Sequence, residues 1–244
     1  MNKNKHWLTP DWPAPANIHA ATTLRTGGVS VAPYDSLNPA THVGDDANCV
    51  RENRQRIKTM LTLPAEPVWL EQTHSSLVIN AGQATTLQQA DASVSNQAGV
   101  VCAVMTADCL PLLICSTDGK KIAAIHAGWK GLLGGIISNT LAALSTTDVL
   151  VWLGPAIGTD CFEVGAEVRE AFMAKSAAFA AGFTQTSETK YLANIYQLAR
   201  IELAARGVEA VYGGDFCTVT EQERFYSYRR ESQTGRMATL IWRT

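Results

Sequence analysis

The chain lacks the features that mark a protein for a polyanion or a bilayer. Twenty Lys and Arg stand against 22 Asp and Glu over 244 residues, a formal charge of −2, and no cluster of basic residues forms a stripe. A nucleic acid partner needs such a footprint, so none is expected. No run approaches the ~20 uninterrupted apolar residues of a membrane span, so no membrane partner is expected either. The opening "MNKNKHWLTPDWPAPAN" is basic, but Pro10, Asp11, Pro13 and Pro15 interrupt it where a signal peptide needs a continuous apolar stretch. A cytoplasmic protein is the expectation.

Cysteine is sparse and unpaired in pattern. The six stand at 49, 102, 109, 115, 161 and 217 with no Cys-x-x-Cys. The chain is far longer than the secreted scaffolds that disulfides staple, so reduced and mostly buried thiols are expected. Histidine is scarcer, at 6, 19, 42, 74 and 126 only.

What is present is apolar material, 46% of the residues, enough for one large core. Runs rich in β-branched and apolar residues predict strands at Ile18–Leu24, Pro67–Leu70, Val100–Met105, Leu110–Cys115, Lys121–Ala127, Val149–Leu153, Ala210–Tyr212 and Met237–Trp242. Four helical patterns lie among them: one capped by Asn48, one through "GLLGGIISNTLAAL", one from Ala166 to Ala181, and one from Ala193 to Arg206 that stops at Gly207. Strands and helices mix without strict alternation or repeats, which predicts a single α+β domain over residues 18–244 behind an N-terminal extension, residues 1–17. Gly134-Gly135, inside the second helical pattern, is costly in a helix, and close backbone packing is the expected reason.

"LPLLICSTDGKKIAAIHAGW" reads as a hairpin turning at Asp118-Gly119. Counting outward from the turn brings Cys109 roughly opposite His126, with Pro111 expected at a bulge or an edge. A cysteine with two histidines, His74 being the other, is a recognised set for a catalytic zinc with one open position. Taken alone, each residue has a plainer reading: His126 a satisfied strand residue and Cys109 core filling.

Beyond His126, "HAGWKGLLGG" runs through Gly128 and Gly131 into a helix, a turn whose free amides suit a phosphate, with Lys130 adding charge. Two glycines making a tight turn, with Lys130 in solvent, is the alternative. Arg25 ends a strand before a Gly-Gly turn and His42 follows soon after; both could reach an anionic or polar substrate, or organise the loop. Glu163 follows "GPAIGTDCF" and reads equally as a helix-start residue or a catalytic acid.

Together, "RTGGVS", "PYDSLN", "HVGD", "WLEQTH", "ADCLPLL", "HAGWKG" and "GPAIG...CFEVG" resemble the bacterial YfiH type of laccase-domain protein, from about Ile18 to the C-terminus, with no departure at the positions that define its metal site. The resemblance implies an α+β fold in four layers, α/β/β/α, with two central mixed sheets and outer helices. It implies a zinc site of His74, Cys109 and His126, with copper able to compete for it. It implies phosphorolysis of adenosine, inosine, guanosine or methylthioadenosine, and hydrolytic deamination of adenosine. For the bacterial branch it adds editing of misincorporated residues in muropeptide precursors during peptidoglycan synthesis.

The copper-dependent polyphenol oxidase label attached to such proteins fits poorly. A blue-copper site takes two histidines and a cysteine, and a multicopper enzyme adds a cluster rich in imidazole. Five histidines with no His-x-His pair cannot furnish both. In phosphorolysis, phosphate is expected against Gly128 to Gly131, with Arg25 or Lys130 supplying charge, and Asp108, Glu163 and His42 are the candidates for proton transfer. A metal-free hydrolase with Cys109 as nucleophile and His126 as base is the next class. A non-catalytic metabolite-binding protein is the third. The partner expected is a small molecule, with the chain a monomer or homodimer.

Overall fold

The computed structural model describes residues 6–244; residues 1–5 of the expected extension lie outside it. The elements in chain order are β1 (Trp7–Leu8), β2 (Ile18–Thr23), α1 (Ala47–Met60), β3 (Leu70–Glu71), β4 (Val78–Asn80), β5 (Gln88–Gln89), β6 (Ala92–Ser95), β7 (Val101–Thr106), β8 (Leu110–Ser116), β9 (Ile122–Ala127), α2 (Trp129–Leu133), α3 (Ile136–Leu144), β10 (Val149–Leu153), β11 (Glu163–Gly165), α4 (Ala166–Lys175), β12 (Phe183–Gln185), β13 (Lys190–Ala193), α5 (Ile195–Ala204), β14 (Val211–Gly213) and β15 (Met237–Arg243). None of the described helices is long and apolar enough to cross a membrane.

Two sheets stack at the centre. One has the order β1-β2-β15-β7 and is antiparallel throughout; the other runs β14-β10-β8-β9-β6-β4 and carries parallel pairs at both edges. Only the larger sheet is therefore mixed, where two mixed sheets were expected. β7 and β8 are buried along their whole length, so they read as continuous apolar runs, and their side chains alternate between two cores. Val101, Ala103 and Met105 face α1 through Ile57, whereas Cys102 and Val104 meet Leu113, Cys115 and Ile122 between the sheets. Leu112, Ile114 and Ile125 pack on the far side against Ile136, Leu141, Leu198 and Leu203 of α3 and α5. The order of layers is thus α1, small sheet, large sheet, α2 to α5. The segment expected as an extension supplies β1, which pairs with β2.

Three local expectations change. The cap of α1 is Asp46, whose carboxylate accepts from the amides of Asn48 and Cys49, two residues before the expected one. The helix through Gly134-Gly135 is two helices: Gly135 sits at φ +88° and a Cβ built there would touch nothing, so Gly135 is there for its backbone conformation. A Cβ at Gly134, by contrast, would lie 3.2 Å from the Lys130 carbonyl, the close approach expected. The Ala166–Ala181 helix ends at Lys175, because Ser176 is extended and caps a separate 3-10 turn over Ala177–Gly182.

Tyr196 of α5 anchors the loop after β10. Its hydroxyl accepts from the Ala156 amide at 2.8 Å and donates to the Phe216 carbonyl at 2.9 Å, in a buried setting. Tyr196→Phe strands that amide and is expected to cost about 1–3 kcal/mol, read from the urea midpoint.

Candidate metal centre

Two loops and the end of a strand at one end of the sheets bring the three side chains together. His74 follows β3, Cys109 joins β7 to β8, and His126 is the penultimate residue of β9. Their ligand atoms all lie within 4.8 Å of one another, and among the described residues this is the one such group of His, Cys, Asp and Glu. Cys109 Sγ is 3.6 Å from His74 Nε2. The corresponding edge of a tetrahedron with ordinary zinc–sulfur and zinc–nitrogen lengths is about 3.5 Å, so the spacing suits a zinc-sized ion. His126 is buried, Cys109 half-buried and His74 exposed, which leaves one side of the group facing the cavity.

The hairpin register differs from the count. Pro111 lies opposite His126, and Leu110 opposite Ala127. A slip of two residues keeps the same sheet face, so Cys109 still lies on the His126 side. Pro111 sits in a central strand with regular pairing, neither at an edge nor at a bulge. The turn of the thiol comes from Asp108, at φ +87°. His74 is also left-handed, at φ +60°. Non-glycine residues rarely adopt this conformation, and each is fixed by a carboxylate.

For His74 the carboxylate is Asp91, which the sequence did not single out. It is fully buried just before β6 and accepts from the amides of Thr73, His74 and Ser75 at 3.2, 3.0 and 2.6 Å. It also accepts from the Ser75 hydroxyl and, at 2.7 Å, from His126 Nδ1. One side chain thereby shapes the loop bearing His74 and fixes the His126 tautomer, turning Nε2 towards Cys109. Its partners lie 16 to 35 residues away, so no local motif announces it. Burial would raise the Asp91 pKa, but the hydrogen bonds from His126 and Ser75 hold it at about 2.

The same balance sets the pair beside it. Burial would push the Cys109 thiol up, yet the facing imidazoles of His126 and His74 bring it down to about 6. Burial would push His126 down, yet Cys109 and Asp91 raise it to about 9. Without metal, the pair near neutral pH is a thiolate beside an imidazolium. Metal binding must then expel the His126 proton between about pH 6 and 9, and a Cys109 proton as well at lower pH. Apparent metal affinity is expected to rise about tenfold per pH unit across that window and more steeply below it. Calorimetric titration in buffers of different ionisation enthalpy, counting the protons released, checks this.

Two cavities meet at His74 and Cys109. One, of about 370 Å³, has walls of Trp129, Ile157, Phe162 and Ile195, with Lys130 and Arg229 bringing positive charge. The other, of about 450 Å³, is lined by His42, Gln72, Met105, Thr106, His126 and Arg236. Tyr228, 57% exposed, borders both. Burial and the charges of Arg236 and Arg54 keep His42 below its ordinary pKa.

Several expected site residues are placed otherwise. Arg25 lines neither cavity: its guanidinium donates to the Asp35 and Gln222 carbonyls and lies over the Tyr226 ring, holding a loop together. Glu163 points out to Lys190 at 3.7 Å, and only its backbone carbonyl serves the cavity wall, by accepting from Arg229. Asp108 lines the first cavity, but its carboxylate accepts from the Thr218 hydroxyl and the Arg229 amide, which pins the strained turn. Gly128 is a spacer: a Cβ there would lie 2.8 Å from His74 Cδ2 and 3.0 Å from Cys109 Sγ. Trp129, Phe162, Tyr228, Arg229 and Arg236 escaped the sequence reading because they reach the cavities from four separate segments.

Residues 19–244 match the family described as multi-copper polyphenol oxidoreductase laccase. A Shigella flexneri protein named purine nucleoside phosphorylase YfiH is 53% identical over 238 residues, 96% of this chain and 98% of the relative. A Pseudomonas aeruginosa protein named purine nucleoside phosphorylase PA4543 is 52% identical over 239 residues, 97% of this chain and 98% of the relative. The crystal structure of Neisseria meningitidis protein NMB0706 superposes with a TM-score of 0.95 at 49% identity, covering 98% of this chain and 99% of that one. That of YlmD from Geobacillus stearothermophilus gives 0.90 at 30% identity, covering 100% and 98%.

Proposed function

The chain belongs to the multi-copper polyphenol oxidoreductase laccase family, and from that premise we propose that it is a zinc-dependent purine nucleoside phosphorylase that also deaminates adenosine. The observation that carries this is the His74–Cys109–His126 group, open on one side where an apolar, aromatic cavity meets a polar one. The relatives' names supply the substrate class.

Trp129, Phe162 and Tyr228 give the cavity aromatic surface suited to a purine, and Lys130 and Arg229, which lie over the Trp129 and Phe162 rings, bring positive charge suited to phosphate. In phosphorolysis a phosphate oxygen bonds to C1′ of the ribose as the bond to the purine nitrogen breaks and the purine keeps the electron pair. His74, Cys109 and His126 would hold the zinc, which when bound supplies Lewis acidity and acidifies coordinated water. His42, kept largely neutral, suits acceptance of a proton from the water of deamination rather than donation to a departing purine. Asp108 and Glu163 are engaged elsewhere.

Incubating the protein with adenosine is the direct test. Adenine and ribose 1-phosphate are expected only when phosphate is present, and inosine with or without it. Metal-loaded protein that forms none of these defeats the proposal and leaves the metabolite-binding class.

A second reading has one specific support. Cys109, His126 and Asp91 form a nucleophile–base–carboxylate series, as in a metal-free cysteine hydrolase that could edit muropeptide precursors. Activity that survives complete chelation in folded protein favours that reading, whereas activity lost on chelation and restored by zinc favours the metal. A coupled copper cluster lacks ligands, since the described residues hold one group of this kind.

A further inference from the structure

Of the five cysteines away from the metal centre, Cys49 stands alone on α1 and the other four fall into two kinds. Cys102 and Cys115 are fully buried between the sheets, where burial pushes both thiols up to about 12. Cys161 and Cys217, 56 residues apart in the chain, are both partly exposed, and their sulfurs lie 3.8 Å apart. Neither takes part in the reaction proposed above.

Their surroundings differ in a directed way. The Gly158 amide donates to Cys217 Sγ at 3.3 Å. The amide comes this close because residue 158 has no side chain: a Cβ there would lie 3.0 Å from that sulfur. Burial alone would raise the Cys217 pKa, but the Thr220 hydroxyl and the amides of Thr220, Gly158 and Val219 bring it below the ordinary thiol value. Cys161 is held above that value by burial and by Cys217 itself. One sulfur is thus supported as a thiolate, while its neighbour retains a proton.

We propose that Cys217 and Cys161 form a hydroperoxide-reactive pair that closes reversibly to a disulfide. The Cys217 thiolate attacks one peroxide oxygen, the O–O bond breaks, and the departing oxygen leaves as hydroxide or alkoxide and takes up a proton. Cys217 becomes a sulfenic acid. Cys161 then gives up its proton and attacks that sulfur; the S–O bond breaks, water leaves and the S–S bond forms. The two thiols supply both electrons that reduce the peroxide, and a small-molecule thiol returns the pair to its reduced form by exchange. Cys161 directly precedes Phe162 of the cavity wall, and Cys217 precedes Thr218, which donates to Asp108. The bond therefore ties the wall of the first cavity to the segment that positions Cys109.

The test uses the full-length protein as purified, treated with one equivalent of hydrogen peroxide, alkylated and mapped by peptide mass spectrometry. A Cys161–Cys217 crosslink is expected, lighter by about two hydrogens and reversed by dithiothreitol. Cys161→Ser is expected to leave a sulfenic acid at Cys217 that dimedone traps, and Cys217→Ser to leave Cys161 open to alkylation. Wild-type protein in which both thiols stay alkylatable while Cys49 or Cys109 is oxidised overturns the proposal. So does Cys217→Ser protein in which dimedone labels Cys161. Circular dichroism establishes that each variant is folded, and the wild-type map decides the matter if one is not.

Discussion

Asp91→Asn is expected to weaken metal binding by roughly 10- to 100-fold while the protein stays folded, the usual consequence of losing the partner that orients a metal-bound histidine. The effect is large because Asp91 serves both histidine ligands, through His126 Nδ1 and through the amides of residues 73 to 75. An asparagine keeps one acceptor oxygen but turns an NH2 group towards donors and removes the charge that supports His126. Asp91→Ala goes further. Removing the carboxylate leaves the His126 ring and three amides facing an empty, fully buried site, at a cost of about 3–5 kcal/mol. Competition with a chromogenic chelator gives the affinity, and urea denaturation gives the stability. An Asn variant that binds zinc as tightly as the wild type would show that the loop and the ring are held by other contacts.

Gly128→Ala is expected to separate stability from metal binding. Gly128 has φ −65° and ψ 162°, a conformation open to any residue. Alanine gains about 0.4–1 kcal/mol by restricting the unfolded chain. It loses a similar amount at a helix N-cap, where glycine is preferred. Unfolding free energy should therefore stay within about 1 kcal/mol of the wild type. The added methyl group meets His74 and Cys109 at 2.8 and 3.0 Å, closer than carbon atoms pack, so it forces two ligands apart. A displacement approaching 1 Å costs on the order of 100-fold in a site that depends on placement. The expected phenotype is a protein that purifies with little metal and little activity, yet melts with metal-free wild type when both are stripped by a chelator. Equal metal content in mutant and wild type would mean that the loops yield to the methyl group.

The candidate metal centre is partly legible in the chain. His74, Cys109 and His126 were reached from the hairpin and from motif resemblance, although the register behind the hairpin count was two residues out. The count succeeded because side chains alternate with period two: an even slip leaves Cys109 on the same face, and an odd one would have turned it away. Arg25 and Glu163 look like site residues in the sequence because a charged residue beside a glycine turn carries no sign of its partner. Asp35, Gln222 and Lys190 occupy them, at distances of 10, 197 and 27 residues.

The sequence by itself determined the strands built on apolar runs and most of the helices, because such runs and helical spacing are local properties that burial enforces residue by residue. The short strands β1, β4 to β6 and β11 to β13 carry no such run and are not legible in it. The sequence also carries only five histidines and no His-x-His pair, the ground on which a blue-copper site together with a coupled cluster is not expected. Only the tertiary structure decided that Asp91 governs both histidines, that Gly128 is a spacer between ligands, and that Cys161 and Cys217 meet. These depend on which loops close together at one end of two stacked sheets. Hydrogen bonds and steric contacts act over a few ångströms in space, however many residues of chain lie between the groups that make them.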